Sequence, residues 1–402
     1  MTTTVNDAAG LPAFPPMRPA SCPFDPPAEF AQWRQEQGLR RVVWKGIPVW
    51  SVNRYEDIKT ALTDPRISAD TMGKLLPSFP GQESIPIFPR MDDPEHNRIR
   101  RMLTKDFTVK RVQSMKPQIQ QLVDGFLDEM ISTGPPADLV HDFALPVPSM
   151  VISLLLGVPY EDHEFFQKHS EVMLDMEASE EEHLQATMAL FGYLYELIER
   201  KEREPGEGLL SRVVGDHVVT GELSREALCA NAVLLLEAGH ETTASMIGLS
   251  ALYLLRNPDQ LARVRDTDDP VVIAMAVEEL LRYLTIVTSL VDRIATEDVE
   301  IGGQLIRAGE GLIINLPAGN RDSAFLDDPD TFDIDRTNRA HVAFGYGTHQ
   351  CIGQVLARAE VEIAVPTLLR RIPSLRLAAP LGELSFRSDM GVYGVHALPV
   401  TW

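Results

Sequence analysis

The chain is poor in cysteine, in aromatic residues and in positive charge. Its three cysteines, Cys22, Cys229 and Cys351, show neither Cys-x-x-Cys spacing nor the pattern of a disulfide framework, which suits a reducing cytoplasm. Lys and Arg number 37 against 58 Asp and Glu, a formal net charge of −21, so nucleic acid and anionic membrane are repelled as general partners. No Gly/Ser linker, low-complexity run or internal repeat divides the sequence, which argues for one large domain over 21–402 behind a disordered or extended leader, 1–20. The first 27 residues have no basic start followed by an apolar run, so no signal peptide or membrane anchor is expected. A Gly-x-Gly-x-x-Gly dinucleotide opening is also missing. What is present is 44% hydrophobic and 24% charged residues, an ordinary globular composition able to bury a large core.

Charge of the scarce sign is concentrated in one place. Arg98, Arg100, Arg101, Lys105, Lys110, Arg111 and Lys116 stand within 19 residues against a single acid, Asp106. A solvated helix face and a docking patch for an acidic protein both account for it.

Helical periodicity dominates the chain, with short strands at intervals. Arg41 to Val52 reads as a hairpin with Gly46 in its turn, followed by a helix from Tyr55 to Leu62. Thr71 to Met91 is an irregular stretch with four prolines among Leu75, Phe79, Ile85, Ile87 and Phe88, either a binding cover or a loop packed on the core. A helix opens near Asp92 and places His96 and Arg100, four apart, on one face. Further helices are expected over 110–133, 148–156, 161–178 and 180–203, the last two carrying Phe165, Phe166, Met173, Leu174, Met176, Met188 and Phe191. Such stripes are usually core, though flexible thioethers also suit an adaptable pocket roof.

Ala227 to Leu255, about 29 residues and roughly 44 Å as a helix, is apolar around most of its circumference and should run through the centre of the molecule. Glu237, His240 and Glu241 interrupt it, which argues against a membrane span. Its middle reads Ala238-Gly239-His240-Glu241-Thr242-Thr243, where a glycine followed by an acid and hydroxyls marks a groove for a small ligand, or a tolerated glycine with threonines bonded back to carbonyls. Glu279 and Arg282 then stand three apart on a helix, a common pairing by itself. Val291–Ala295 and Val299–Ile306 alternate like strands, the second pair turning at Gly302-Gly303, and Leu384–Trp402 reads as a hairpin around Asp389-Met390-Gly391.

One cysteine stands in a special context, Phe344-Gly345-Tyr346-Gly347-Thr348-His349-Gln350-Cys351-Ile352-Gly353, with a helical pattern from Gln354 onward. Amides at a helix N-terminus favour a thiolate, glycines admit close approach of a flat ligand, and Phe344 shields the sulfur. Lone cysteines are mostly buried and inert, but ten residues of pattern outweigh that prior. A cysteine nucleophile activated by His349 would need an orienting group and an oxyanion site, and neither is apparent.

The form Phe-Gly-x-Gly-x-His-x-Cys-x-Gly resembles the cysteine-ligand loop of cytochromes P450. Ala238-Gly239-x-Glu241-Thr242-Thr243 resembles the oxygen-groove helix of that family, and Glu279-x-x-Arg282 its Glu-x-x-Arg helix, all in the family's order and nearest to soluble actinomycete members. Gly319 and Ile352 depart from the usual alanine and leucine.

The resemblance implies a mainly α fold with small β-sheets and a long central helix over haem b. Cys351 would be the axial ligand, with Gly239, Phe344, Gly345 and Gly353 beside the cofactor. His96, Arg100, Arg293 and His349 would hold the two propionates, and Glu279, Arg282 and Arg336 would form a structural triad. Glu241 and Thr242 would deliver protons, and O2 would be the co-substrate. Electrons would come from NAD(P)H through a ferredoxin reductase and a ferredoxin docked on Arg98, Arg101, Lys105, Lys110 and Arg111. The resemblance further implies a monomeric, cytoplasmic enzyme with no membrane or nucleic-acid partner. Leu75, Phe79, Ile85, Ile87, Met173, Val287, Leu290, Met390 and Val392 would line a pocket for a medium-to-large hydrophobic molecule, whether polyketide or macrolide, statin-like, steroid-like or xenobiotic. A haem-thiolate sensor or carrier and a peroxide-driven enzyme are the alternatives; the first leaves Glu241 and Thr242 without a purpose, and peroxide users of the family usually lack that pair.

Overall fold

The computed structural model describes residues 10–19, 22–76, 85, 87–159, 162, 165, 168–169, 172, 179–388 and 390–402. After helix α1 (Glu29–Gln35), strands β1 (Arg40–Trp44) and β2 (Ile47–Val52) pair antiparallel across Lys45 and Gly46, whose φ values of 48° and 77° suit a tight two-residue turn. Helix α2 (Tyr55–Thr63) and strand β3 (Ile67–Ser68) follow. Most of the helix expected over 161–178, with Phe166, Met173, Leu174 and Met176, lies outside the described residues, as does Phe79.

The helical body comprises α3 (Glu95–Thr104), α4 (Val109–Thr133), α5 (Pro146–Leu156), α6 (Glu180–Arg203), α7 (Arg225–Arg256), α8 (Pro258–Arg265), α9 (Pro270–Leu284) and α10 (Gln354–Arg371). Helix α7 is the axis. The Ser224 hydroxyl caps it by accepting from the Ala227 amide, and its sides pack on α5, α6 and α10, so apolar residues around most of its girth are buried. No described helix is long and apolar enough to cross a membrane.

Strands β4 (Ala137–Asp138), β5 (Asp292–Ala295), β6 (Val299–Ile301), β7 (Gln304–Ile306), β8 (Gly311–Ile314), β9 (Arg376–Leu377) and β10 (Pro399–Thr401) complete three small sheets. The largest runs β1-β2-β8-β5-β3, with β2 and β8 parallel. The expected C-terminal hairpin forms between residues 385–387 and 394–396, with the Arg387 amide donating to the Gly394 carbonyl and the His396 amide to the Ser385 carbonyl, but it stops short of Trp402. Phe386 and Val395 form an isolated bridge, while β10 leaves to pair with both β4 and β9, because those two strands offer edges that a local turn does not.

Two neighbouring carboxylates of α9 secure the long loop that leads to Cys351. Glu279 takes both Arg282 Nε and Nη2 at 2.8 Å and Arg336 Nε at 3.3 Å, and Arg282 spends its remaining donors on the carbonyls of Asn320, Pro329 and Thr331. Asn320 in turn accepts from the Val342 amide at 2.7 Å. The unusual Gly319 has a local cause: an added Cβ would lie 2.5 Å from Cδ1 of the buried Ile58. Glu278 reaches forward to Arg358 Nε at 2.5 Å and to His341 Nε2 at 3.1 Å, and the Arg358 guanidinium lies 4.5 Å from the Phe344 ring centre.

Burial pushes the Glu278 carboxyl up, but bonds from His341 and Arg358 outweigh it and hold the group down at about 2. Its stabilising contribution, on the order of 3 kcal/mol, is therefore complete above about pH 5 and lost as pH falls through about 2. Glu278→Gln should lower unfolding stability by about 2–3 kcal/mol at pH 7. In denaturant titrations the gap to the parent should narrow between pH 5 and pH 3; a gap independent of pH would contradict this origin.

Candidate functional site

The Cys351 loop is shaped by its glycines. Gly345 and Gly347 have φ of 71° and 73°, and at Gly347 a Cβ would meet the Leu62 carbonyl oxygen at 2.7 Å. The Cys351 amide donates to the Phe344 carbonyl at 2.9 Å, closing the loop. The sulfur sits just before α10 and receives the amides of Gly353 and Gln354, as a helix N-terminus provides. Burial nevertheless pushes the thiol up, outweighing those amides and the Arg100 and Arg358 guanidiniums. The side chain is at the same time open to a water-sized sphere, so it looks into a recess within the protein. A metal cation on the sulfur would restore what burial takes from the thiolate.

Close to this recess the expected cations converge. His96 is fully buried, stacks on His349 at 3.9 Å, and leaves both ring nitrogens without a hydrogen-bond partner. Arg100 Nη2 donates to the Gln350 carbonyl at 2.6 Å, and Arg293 Nη1 to the Asp292 carbonyl at 2.8 Å. Among the described residues neither guanidinium has an ion-pair partner. Burial, reinforced by Arg293 and His96, pushes His349 down to about 3, and burial with Arg100 also lowers His96. The guanidiniums of Arg100 and Arg293, and the His96 ring with only Asp93 Oδ1 at 3.6 Å from its Nδ1, stand beside the sulfur without a hydrogen-bonded anion among the described residues.

On α7, Thr242 Oγ1 donates to the Ala238 carbonyl at 2.7 Å. Glu241 Oε1 lies 3.5 Å from Arg387 Nη1, a buried arginine of the C-terminal segment. Burial pushes Glu241 up while Arg387 draws it down. Gly239 differs from the expected ligand groove: its missing side chain points at Ile152 of α5, 3.1 Å from an added Cβ, so the glycine serves close helix packing.

The expected pocket residues divide. Val287 bridges Val392, Thr288 Oγ1 donates to the Met390 and Gly391 carbonyls, and Leu290 lies against Gly391, making one wall. Leu75 packs beside Gly311 and Val49 on the sheet, a placement that the apolar pattern alone does not separate from a pocket wall. Ile85 is exposed, Ile87 is half-buried, and Phe79 and Met173 lie outside the described residues. Met188, read as part of a pocket roof, faces solvent at 66% exposure.

The basic patch is thinner than its composition. Arg98 is engaged by Glu95 at 2.7 Å, Lys105 by Asp216 at 3.1 Å and Lys116 by Glu362 at 2.8 Å. Arg101, Lys110 and Arg111 keep no ion pair among the described residues.

Several residues of the site escape a reading by motif. Arg387 sits in an irregular segment with no signature. Glu278 and Arg358 are 80 residues apart in sequence. Glu360 of α10 is buried, with its carboxyl pushed well up by burial and Oε2 without a partner. Glu237, an acid in an apolar helix, was visible in the sequence only as an argument against a membrane span.

A haem fits these residues. Cys351 offers one sulfur, the guanidiniums and the unpartnered His96 ring offer partners for two carboxylates, and no group of three His, Cys, Asp or Glu among the described residues could hold a metal ion by itself. The sequence profile of the Cytochrome P450 family matches residues 25–373. The chain is 50% identical to Cytochrome P450-SU2 of Streptomyces griseolus, over all of this chain and 98% of that protein. It is 47% identical to a vitamin D3 dihydroxylase of the same species, over all of this chain and 99% of that protein. The crystal structure of GfsF superposes with a TM-score of 0.91 at 46% identity, covering 97% of this chain and all of that one. A thiolate loop, an acid–threonine helix and a whole-length likeness agree, and the chain belongs to the cytochrome P450 family of haem monooxygenases.

Proposed function

We propose that this enzyme hydroxylates a medium-to-large hydrophobic molecule of macrolide or polyketide, statin-like, steroid-like or xenobiotic type. Electrons reach it from NAD(P)H through a ferredoxin reductase and a ferredoxin in the cytoplasm. The observation that carries the reading is the paired arrangement of Cys351, beneath amides and beside unpartnered cations, with Glu241 and Thr242 on the central helix. Haem, when bound, supplies the reduction of O2 and the insertion of one oxygen atom into a C–H bond, the other leaving as water.

The chain supplies ligation, protons and access. Cys351 would ligate the haem iron through its thiolate, and His96, Arg100, Arg293 and His349 would hold the propionates through charge-assisted hydrogen bonds. Because Thr242 Oγ1 spends its own proton on the Ala238 carbonyl, its lone pairs are free to accept a second hydrogen bond at the reacting face. The Glu241 carboxyl, raised by burial and tethered by Arg387, exchanges protons with water at that face, and the Thr242 oxygen, as acceptor, holds the proton-carrying group in place. The acid–threonine pair favours O2 activation over a sensor or a peroxide-driven enzyme. The wall of Val287, Leu290, Met390 and Val392 excludes water and packs on the substrate.

Three measurements test this reading. The reduced, carbon monoxide-bound protein should show the red-shifted Soret band of thiolate-ligated haem, and Cys351→Ser should abolish it; a thiolate band in the variant would remove Cys351 from the metal. Thr242→Ala should go on consuming reductant while product per NAD(P)H falls severalfold, and undiminished coupling would exclude the threonine from proton delivery. Reversing charge at Arg101 and Lys110, two of the three cations without an ion pair, should slow reduction by the ferredoxin about tenfold at low salt, with the difference closing as ionic strength rises. An unaltered rate would place the docking face elsewhere.

A further inference from the structure

Glu237 is the carboxylate midway along α7 that the chemistry above does not use. Among the described residues it has no hydrogen bond and no ion pair, whereas its neighbours are engaged: Glu241 with Arg387, Thr242 with the Ala238 carbonyl, and Asn231 with the Phe88 amide. Its position on the helix settles where it points. Gly239 faces α5, where Ile152 fills the space its side chain would take. Two residues earlier, at about 200° around the helix, Glu237 looks away from α5. It shares a face with Glu241, one turn on. Glu241 meets Arg387 on the same C-terminal segment whose Gly391 and Val392 pack on Leu290 and Val287.

That face is open within the protein rather than covered. Glu237 and Ala238 are exposed midway along a helix whose other sides are buried, yet enough protein surrounds Glu237 that burial, helped by the charge of Glu241, pushes its carboxyl up to about 7. A group both accessible and deeply surrounded lines a recess. Arg387 already balances Glu241, so among the described residues Glu237 is the acid of this face left without a cation. An unpaired carboxylate is costly there, and a cationic group on the molecule that fills the space would compensate it.

We propose that Glu237 is the polar anchor of the substrate pocket and selects hydrophobic molecules that carry a basic amine, its carboxylate accepting a charge-assisted hydrogen bond from the ammonium. This rests on the reading of α7 as the helix over haem and substrate. The anchor fixes which end of a long apolar molecule faces the reacting centre, so it governs the site of oxidation as well as affinity. Anionic substrates are turned away by the same charge.

The test is a binding measurement on the ferric, haem-loaded enzyme. Hydrophobic tertiary amines are each paired with an isostere bearing carbon in place of the amine nitrogen, beginning with amitriptyline and its isopropyl counterpart. Spin-state titration and equilibrium dialysis give the two affinities. The amine should bind about tenfold or more tightly than its isostere. Glu237→Gln and Glu237→Ala should erase that preference, Glu237→Asp should retain part of it, and all three should keep the carbon monoxide band. The preference should grow between pH 6 and pH 8 as Glu237 ionises, with Glu241 and Arg387 the charged groups on its face. Equal affinities in the parent, or a preference that survives Glu237→Gln, would overturn the assignment. So would a Glu237→Gln variant that binds both molecules as the parent does and loses only coupling, since that marks a proton relay. Only the coupling measurement needs turnover; the binding results leave the monooxygenase reading standing, and loss of the thiolate band in the parent would strike that reading instead.

Discussion

The buried ion pair of Glu279 with Arg282 is the constraint on which the site depends. Both groups are almost fully removed from water, and neither could be left alone there without a penalty of several kcal/mol. Arg282 meets that cost with three backbone carbonyls, and those carbonyls belong to the long irregular stretch that delivers the cysteine loop. A segment with little regular hydrogen bonding is thereby held in one conformation. Glu278, the adjacent residue, extends the same hold through Arg358 to the ring of Phe344, so two carboxylates on one helix place a sulfur far along the chain.

Polar groups on opposite sides of the recess are treated differently. Beside Cys351, His96 is buried with both ring nitrogens lacking a hydrogen bond and Arg293 is buried without an ion pair among the described residues, an arrangement that suits an anionic cofactor. On α7 the same logic runs with the other sign. Glu241 is supplied with a cation, Arg387, by the protein itself, while Glu237 has no such partner among the described residues. The overall excess of acid contributes to neither, because charges spread over the surface are screened within a Debye length.

Much of the architecture was legible locally. The tight turn at Lys45-Gly46, the capped and apolar α7, and the helix following Cys351 each follow from spacing and residue type, because the forces that form them act within a few residues. The errors share an opposite cause. The C-terminal residues were read as one hairpin, but β10 found its partners in β4 and β9, and an exposed edge elsewhere in the chain has no local signature. Leu75 has the character of a pocket residue and packs on the sheet instead, since hydrophobicity says that a side chain is buried and not against what. In the basic patch, Arg98 with Glu95 could be paired by helical spacing, whereas Lys105 with Asp216 could not.

By itself the sequence determined the family chemistry: one cysteine in a glycine loop, an acid and a threonine in a central helix, and a Glu-x-x-Arg pair, each a contiguous motif because each is built on a single element. Tertiary structure alone decided the partners. It set Arg387 against Glu241, turned Gly239 toward Ile152 and Glu237 away from it, left His96 without a hydrogen bond, and paired Lys105 with Asp216. Those outcomes depend on which groups share a small volume after the core has formed, and desolvation there sets the worth of a charge.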